Sequence, residues 1–254
     1  MQINTTTSLV LNNVFWKCVD LIYPPVCCTC GGIGKLICDG CYSQIAFIQN
    51  PGCIFCGEPL KSGSICKRCK QQTPYFSRLR SFGYYSGPLR DAIVSLKYHC
   101  NIGLGSFFAP TLCEIIFKEK WNIDLITAIP LSSNRKKERG YNQAEILAKP
   151  IARKMNLPYS DKSVHRKKHT NSQVGLSVKE RKLNMKDAFN ADPQVVKDKT
   201  ILLIDDVATT GATMDACAKA LRDAGCHQVF GLTLAKTIGL QDDLFGTKNS
   251  ILRR

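Results

Sequence analysis

No apolar run in the 254-residue sequence approaches the ~18–20 residues that a membrane-spanning helix needs, so membrane insertion is not expected. Neither common glycine-rich nucleotide signature is present: there is no G-x-x-x-x-G-K-S/T and no G-x-G-x-x-G, which removes the P-loop ATPases and Rossmann dinucleotide sites. Histidine is scarce, and His99, His165, His169 and His227 have no ligand-like neighbours. The first 25 residues lack a basic n-region and polar residues interrupt their apolar positions. No export signal is expected, and the expected compartment is the cytoplasm. Acidic residues are also in deficit, 20 Asp+Glu against 35 Lys+Arg, a net charge of +15. Residues 1–134 carry 12 basic and 7 acidic groups, 135–186 carry 15 and 4, and 187–254 carry 8 and 9. The surplus in 135–186 calls for an anionic partner such as phosphate, pyrophosphate or nucleic acid.

What is present is ordinary globular material, 44% hydrophobic and 22% charged, enough for one large domain or two unequal ones. Leu9, Val10, Val14, Phe15, Val19 and Ile22 recur near helical spacing before Pro24 and Pro25, predicting a short amphipathic helix.

Cysteine is abundant, with 14 in the chain, and without an export signal disulfides are not the expected use. Eight cysteines form four Cys-x-x-Cys pairs: Cys27/Cys30, Cys38/Cys41, Cys53/Cys56 and Cys66/Cys69. A two-residue gap brings two thiolates from one tight turn to the same ion at ~2.3 Å, and two such turns complete a tetrahedron. Four pairs therefore imply two structural Zn2+ sites, with no position left open for a substrate. The connections between Cys30 and Cys38 and between Cys56 and Cys66 are long enough for a hairpin each. This favours sequential pairing, two zinc ribbons in tandem, although a cross-braced arrangement satisfies the same spacing. Cys28 is not expected to be a ligand, and Cys113 and Cys217 sit in apolar helical patterns that mark them as core.

Beyond Cys69 helical and strand patterns alternate. Helices are predicted over 88–97, 104–118, 142–155 (with Pro150 inside) and 212–224, and strands over 124–129, 200–204 and 229–234. Such alternation predicts an α/β fold, a parallel sheet with helices on both faces. Within it, residues 201–213 read ILLIDDVATTGAT. This is a buried strand, then Asp205 and Asp206, then a small-residue turn into a helix. The turn (Ala208, Thr209, Thr210, Gly211, Ala212, Thr213) offers backbone N–H groups, hydroxyls and a positive helix end to a phosphate. The two carboxylates repel phosphate and suit hydroxyl groups or a metal ion instead. A phosphate on one side and a diol on the other describe a ribose 5-phosphate.

The 201–213 stretch resembles the phosphoribosyl pyrophosphate (PRPP) signature of type I phosphoribosyltransferases. Pro130-Leu131 followed by Arg139-Gly140-Tyr141-Asn142-Gln143 is similar to the P-L-…-R-G-F/Y-N-Q of the ComF/GntX family. Residues 166–189 (RKKHTNSQVGLSVKERKLNMKDAF) resemble the same family's R-x-x-x-T-x-x-Q block. The resemblance implies a type I phosphoribosyltransferase-like fold over 73–240, preceded by a double zinc ribbon in 1–72 and followed by a tail over 241–254. It also implies PRPP binding with Mg2+. Asp205 and Asp206 would take the ribose hydroxyls and Val207 with the 208–213 turn the 5-phosphate. Residues 130–135 correspond to the loop facing pyrophosphate, with Ser132, Ser133 and Arg135 as contacts, and Arg139 stands with the two aspartates as a catalytic candidate. Arg166, Thr170, Gln173 and Arg181 fall in the family's closing loop, and Lys97 is a further PRPP contact. Single-stranded DNA is the implied partner, handled in the cytoplasm during natural competence beside a helicase and recombination proteins. Tyr42, Phe47, Phe55, Tyr75 and Phe76 near the ribbons either stack bases or fill the ribbon cores.

Overall fold

The computed structural model describes residues 24–49, 52–167 and 188–237. The helix expected near residues 9–22 lies outside them, as do Thr170, Gln173 and Arg181. The described chain opens with two short helices, α1 (Asp39–Tyr42) and α2 (Lys67–Gln71). It continues through β1 (Arg78–Tyr84), α3 (Gly87–Tyr98), α4 (Gly103–Lys118), β2 (Leu125–Ala128), α5 (Ser133–Arg139), α6 (Gln143–Met155) and β3 (Val164–Arg166). It ends with β4 (Phe189–Ala191), α7 (Pro193–Val196), β5 (Thr200–Ala208), α8 (Ala212–Asp223) and β6 (Gln228–Lys236). A four-stranded parallel sheet has the order β1-β6-β5-β2, and β3 pairs antiparallel with β4 beside it. Among the described residues no helix is long and apolar enough to cross a membrane.

Alternation along the strands builds two cores. Leu202 and Ile204 of β5 join Phe230, Leu232 and Leu234 of β6 against α3, α4 and α6. Ile201 and Leu203 join Val229 against α8 and the β3–β4 pair. Both faces are covered, as an all-parallel sheet requires. Cys113 and Cys217 are buried in these cores.

Two strands of the large sheet depart from the sequence pattern. No strand is legible over residues 78–84, because Arg80 and Ser81 interrupt the apolar run. Both are buried and partnered: Arg80 Nε lies 2.7 Å from Glu119 Oε1, and Ser81 Oγ lies 2.7 Å from Thr233 Oγ1. The strand expected to stop at Ile204 runs on to Ala208, since Asp205, Val207 and Ala208 stay in register with Thr233, Ala235 and Lys236.

The ribbons sit on opposite faces of this sheet. Cys27, Cys41, Ile37 and Ile45 belong to the core under α3 and α4, whereas Cys53, Cys56, Cys66 and Cys69 belong to the core under α8. The chain between them and the first turn of the second ribbon cover the β1 edge. Ile48 N donates to Phe82 O (3.0 Å), Tyr84 N to Ala46 O (2.8 Å) and Leu79 N to Phe55 O (2.7 Å). An edge that would otherwise present unpaired backbone groups is thereby closed.

The α4–α6 contact depends on Gly105, where an added Cβ would lie 2.1 Å from the backbone oxygen of Ile146. Gly105→Ala is expected to push the helices apart at a cost of roughly 3 kcal/mol. Thermal denaturation should show the midpoint falling by about 6–12 °C for a chain of this length.

Candidate functional site

The four Cys-x-x-Cys turns resolve into two groups, Cys27/Cys30/Cys38/Cys41 and Cys53/Cys56/Cys66/Cys69, with all sulfurs of a group within 4.8 Å of one another. Pairing is sequential, and Cys28 is in neither group. Cys30 Sγ and Cys38 Sγ are 3.7 Å apart, as are Cys56 Sγ and Cys66 Sγ. A tetrahedron with Zn–S bonds of ~2.3 Å has edges of ~3.8 Å, so the sulfurs are spaced for zinc. Cys38 N points at Cys27 Sγ and Cys66 N at Cys53 Sγ, each at 3.4 Å. Burial opposes the charged forms of Cys27 and Cys53, but surrounding backbone N–H groups outweigh it and bring the thiols down to about 6 and about 7. One thiol in each group is thus favoured as thiolate, whereas Cys41, hydrogen-bonded to Cys38, and the buried Cys56 and Cys69 are pushed the other way; four sulfurs around one metal leave no open position.

At the carboxyl end of the sheet, β5 carries Asp205 and Asp206, and the 208–213 turn leads into α8. Thr209 and Thr210 are exposed, while Gly211 is buried with φ +77° and caps α8. That backbone angle lies in the left-handed region, where only glycine enters without strain. Asp205, Ala208, Thr209, Gly211 and Thr213 line a small open pocket. Asp206 is buried, and its Oδ2 accepts no hydrogen bond; its company is the Lys97 ammonium, 3.1 Å away as an ion pair. Lys97 reaches it from the last turn of α3. Asp206 N donates to Asp205 Oδ1 at 2.8 Å. Burial, then the neighbouring Asp206 charge, push the Asp205 carboxyl up to about 8, against the opposing pull of Lys97 and Arg135.

β2 lies beside β5, and Ile129 N donates to Ile204 O at 2.9 Å, so residues 130–142 start alongside the aspartates. The stretch expected as a loop over 130–135 is a correction: a helix, α5, begins at Ser133. Ser132 Oγ accepts from Arg135 N (3.4 Å) and Gly140, with φ +76°, stops the helix. With no buried residue, α5 has no apolar stripe for a sequence pattern to detect. Ser132 and Ser133 line a cleft of about 680 Å³ together with Lys136, His165 and Arg166. Arg166 sits over the Phe189 ring at 5.3 Å, and its Nε is buried without a partner.

The Arg139 guanidinium lies 5.0 Å over the Tyr98 ring and donates to Tyr98 Oη at 3.3 Å, while its Nε and Nη1 are buried without partners. Two of its neighbours have positions that the sequence reading did not assign. Tyr141 Oη donates to Leu96 O, and Asn142 Nδ2 donates to Ile129 O at 3.0 Å while Asn142 Oδ1 caps α6. The Arg139-Gly140-Tyr141-Asn142 run therefore fastens the end of α3, with its Lys97, to the end of β2.

Residues 18–70 match the double zinc ribbon domain, and residues 141–243 match the phosphoribosyl transferase domain. Fold and site together define a phosphoribosyltransferase-fold protein with an N-terminal double zinc ribbon. The chain is 33% identical over 209 residues to Competence protein F of Haemophilus influenzae, covering 78% of this chain and 90% of that one. It is 30% identical over 208 residues to DNA utilization protein YhgH of Escherichia coli (80% and 91% covered). It is 25% identical over 226 residues to Competence protein ComFC of Bacillus subtilis (84% and 85%). The chain belongs to the competence protein F (ComF) family.

Proposed function

We propose that this chain binds PRPP with Mg2+ at the end of β5 and acts in the cytoplasm on incoming single-stranded DNA during natural competence, beside a helicase and recombination proteins. The observation carrying the reading is the pairing of two carboxylates with the 208–213 turn on one strand end. The turn supplies N–H groups and a helix N-terminus to the 5-phosphate. Asp205 and Asp206 accept from the ribose hydroxyls, and Lys97 pairs with Asp206 at 3.1 Å from the side of α3. Ser132, Ser133 and Arg135 take the pyrophosphate side. Mg2+ arriving with PRPP supplies neutralisation of the pyrophosphate charge. The relatives' names, competence and DNA utilization, support the DNA part of the reading.

Asp205 gives the test. In the free chain its carboxyl is protonated below about 8, whereas accepting from a ribose hydroxyl requires the carboxylate. PRPP binding at pH 7 is expected to release a proton, and affinity to rise between pH 6 and pH 8 by up to about tenfold per unit. Calorimetric titration in two buffers of different ionisation heat measures both. Affinity flat across that range, without proton release, would count against Asp205 as a ribose ligand.

A non-catalytic nucleic-acid-binding role is the second reading, favoured by α5 and Tyr98. α5 exposes Arg135, Lys136 and Lys137, and Tyr98 is 59% exposed beneath Arg139, a surface suited to phosphates with a ring for stacking. Binding of single-stranded DNA should weaken steeply with salt, far more than binding of PRPP.

A further inference from the structure

Three successive carbonyls of the second ribbon's first turn face the large sheet, and each accepts a hydrogen bond from it. Ile54 O accepts from Arg80 Nη2 (3.2 Å), Phe55 O from Leu79 N (2.7 Å) and Cys56 O from Lys236 Nζ (3.4 Å). Lys236 is the last residue of β6 and 1% exposed, and its ammonium also lies 3.0 Å from Glu58 Oε2. Glu58 belongs to the same turn, since Cys53 N donates to Glu58 O at 2.8 Å. A lysine buried this deeply requires compensating charge. A Zn2+ with four thiolates is net negative, so the ribbon and Glu58 together provide it.

The other end of this connection is the phosphate turn. Lys236 pairs in register with Ala208, and Thr237 N donates to Ala208 O at 3.0 Å. Gly211 rests on Leu79: a Cβ there would lie 3.4 Å from Leu79 Cδ2. Just past Cys69, Tyr75 N donates to Asp215 Oδ1 in the first turn of α8 at 2.6 Å. The Ala208 end of the 208–213 turn is therefore tied to the second ribbon through Lys236, and the far end to the segment that follows the ribbon through Tyr75. The cysteines of the first ribbon pack in the opposite core.

We propose that Lys236 is a positioning residue for the phosphate turn: it fastens the second zinc ribbon to the strand end beside Ala208, so that the turn is ordered for an anion only while that attachment holds. The inference rests on residues 208–213 being the 5-phosphate site.

Amide hydrogen exchange and PRPP titration on the full-length, zinc-loaded chain test it, comparing wild type with Lys236→Met, Lys236→Arg, Glu58→Gln and Lys35→Met. Zinc is expected to stay at two ions per chain in all of them, two being the number of four-cysteine groups. In Lys236→Met and Glu58→Gln, exchange over residues 206–214 should accelerate about fivefold or more. PRPP affinity should fall roughly tenfold with the loss of the charged bond. Lys236→Arg keeps the cation and should restore both. Lys35→Met removes an exposed lysine paired with Asp39 in the first ribbon and should match wild type. If Lys236→Met folds poorly, Glu58→Gln, at a position 23% exposed, carries the comparison. Unchanged exchange over 206–214 in a folded, zinc-loaded variant overturns the proposal, and so does acceleration spread evenly over the sheet. Failure of the wild type to bind PRPP refutes the phosphate reading instead, and the exchange pattern still decides the role of Lys236.

Discussion

Cys53→Ser is expected to leave no folded, soluble chain. Cys53, Cys56, Cys66 and Cys69 are 0–7% exposed and share a core with Phe76, Leu79 and Met214. Structural zinc sites contribute apparent free energies of about 10–16 kcal/mol in small zinc-folded peptides. A whole domain is stable by only ~5–15 kcal/mol. A serine hydroxyl is a much poorer zinc ligand, and in this pocket it adds an unsatisfied buried polar group at about 1–3 kcal/mol. Soluble yield and zinc per chain report the outcome. Cys30→Ser makes a useful comparison, because Cys30 is exposed at the rim of its group. It should weaken zinc at one site without expelling it, leaving the chain folded with a lowered thermal midpoint. Wild-type yield and midpoint for Cys53→Ser would show that the second centre is dispensable for folding.

The second large effect is expected from Asp205→Asn/Asp206→Asn, which preserves shape and removes both of the carboxylates that would accept from the ribose hydroxyls. Hydrogen bonds to charged groups contribute ~1.5–3 kcal/mol each, so losing two should weaken PRPP at least about 100-fold. Stability should change little. The double change leaves the Lys97 ammonium without its carboxylate at 3.1 Å, but it also ends the repulsion that raises the Asp205 carboxyl. Lys97 is 17% exposed and can turn its ammonium toward water. A thermal midpoint within a few degrees of wild type, with binding lost, separates a ligand role from a folding role. Affinity retained within about threefold would place the ribose site elsewhere.

The parts of this molecule legible in its sequence are those whose chemistry is local. Cys-x-x-Cys turns announce zinc because two ligands must come from one turn, and the aspartates and small-residue turn of β5 lie within a dozen positions. Chain length between neighbouring turns favours sequential pairing of the ribbons, and the sulfur groups in the structure separate it from a cross-braced one. What escaped depends on distant partners. β1 has no readable apolar pattern because Arg80 and Ser81 are satisfied by Glu119 and Thr233, far along the chain. α5 buries nothing, so no periodicity marks it, and only its Ser132 cap and Gly140 stop define it. Lys236 looks like a terminal strand residue until Glu58 and the Cys56 carbonyl are seen around it, 180 positions from the latter. Residues held by distant partners are therefore less visible in the sequence than those of the candidate site.

The most direct measurement is equilibrium binding of PRPP with Mg2+ to the zinc-loaded wild-type chain at pH 8, followed by competition with ribose 5-phosphate and, separately, with pyrophosphate. Recognition through Asp205, Asp206 and the 208–213 turn predicts saturable one-site binding that ribose 5-phosphate alone displaces fully. No binding to the folded chain, or binding displaced by pyrophosphate and untouched by ribose 5-phosphate, would contradict it.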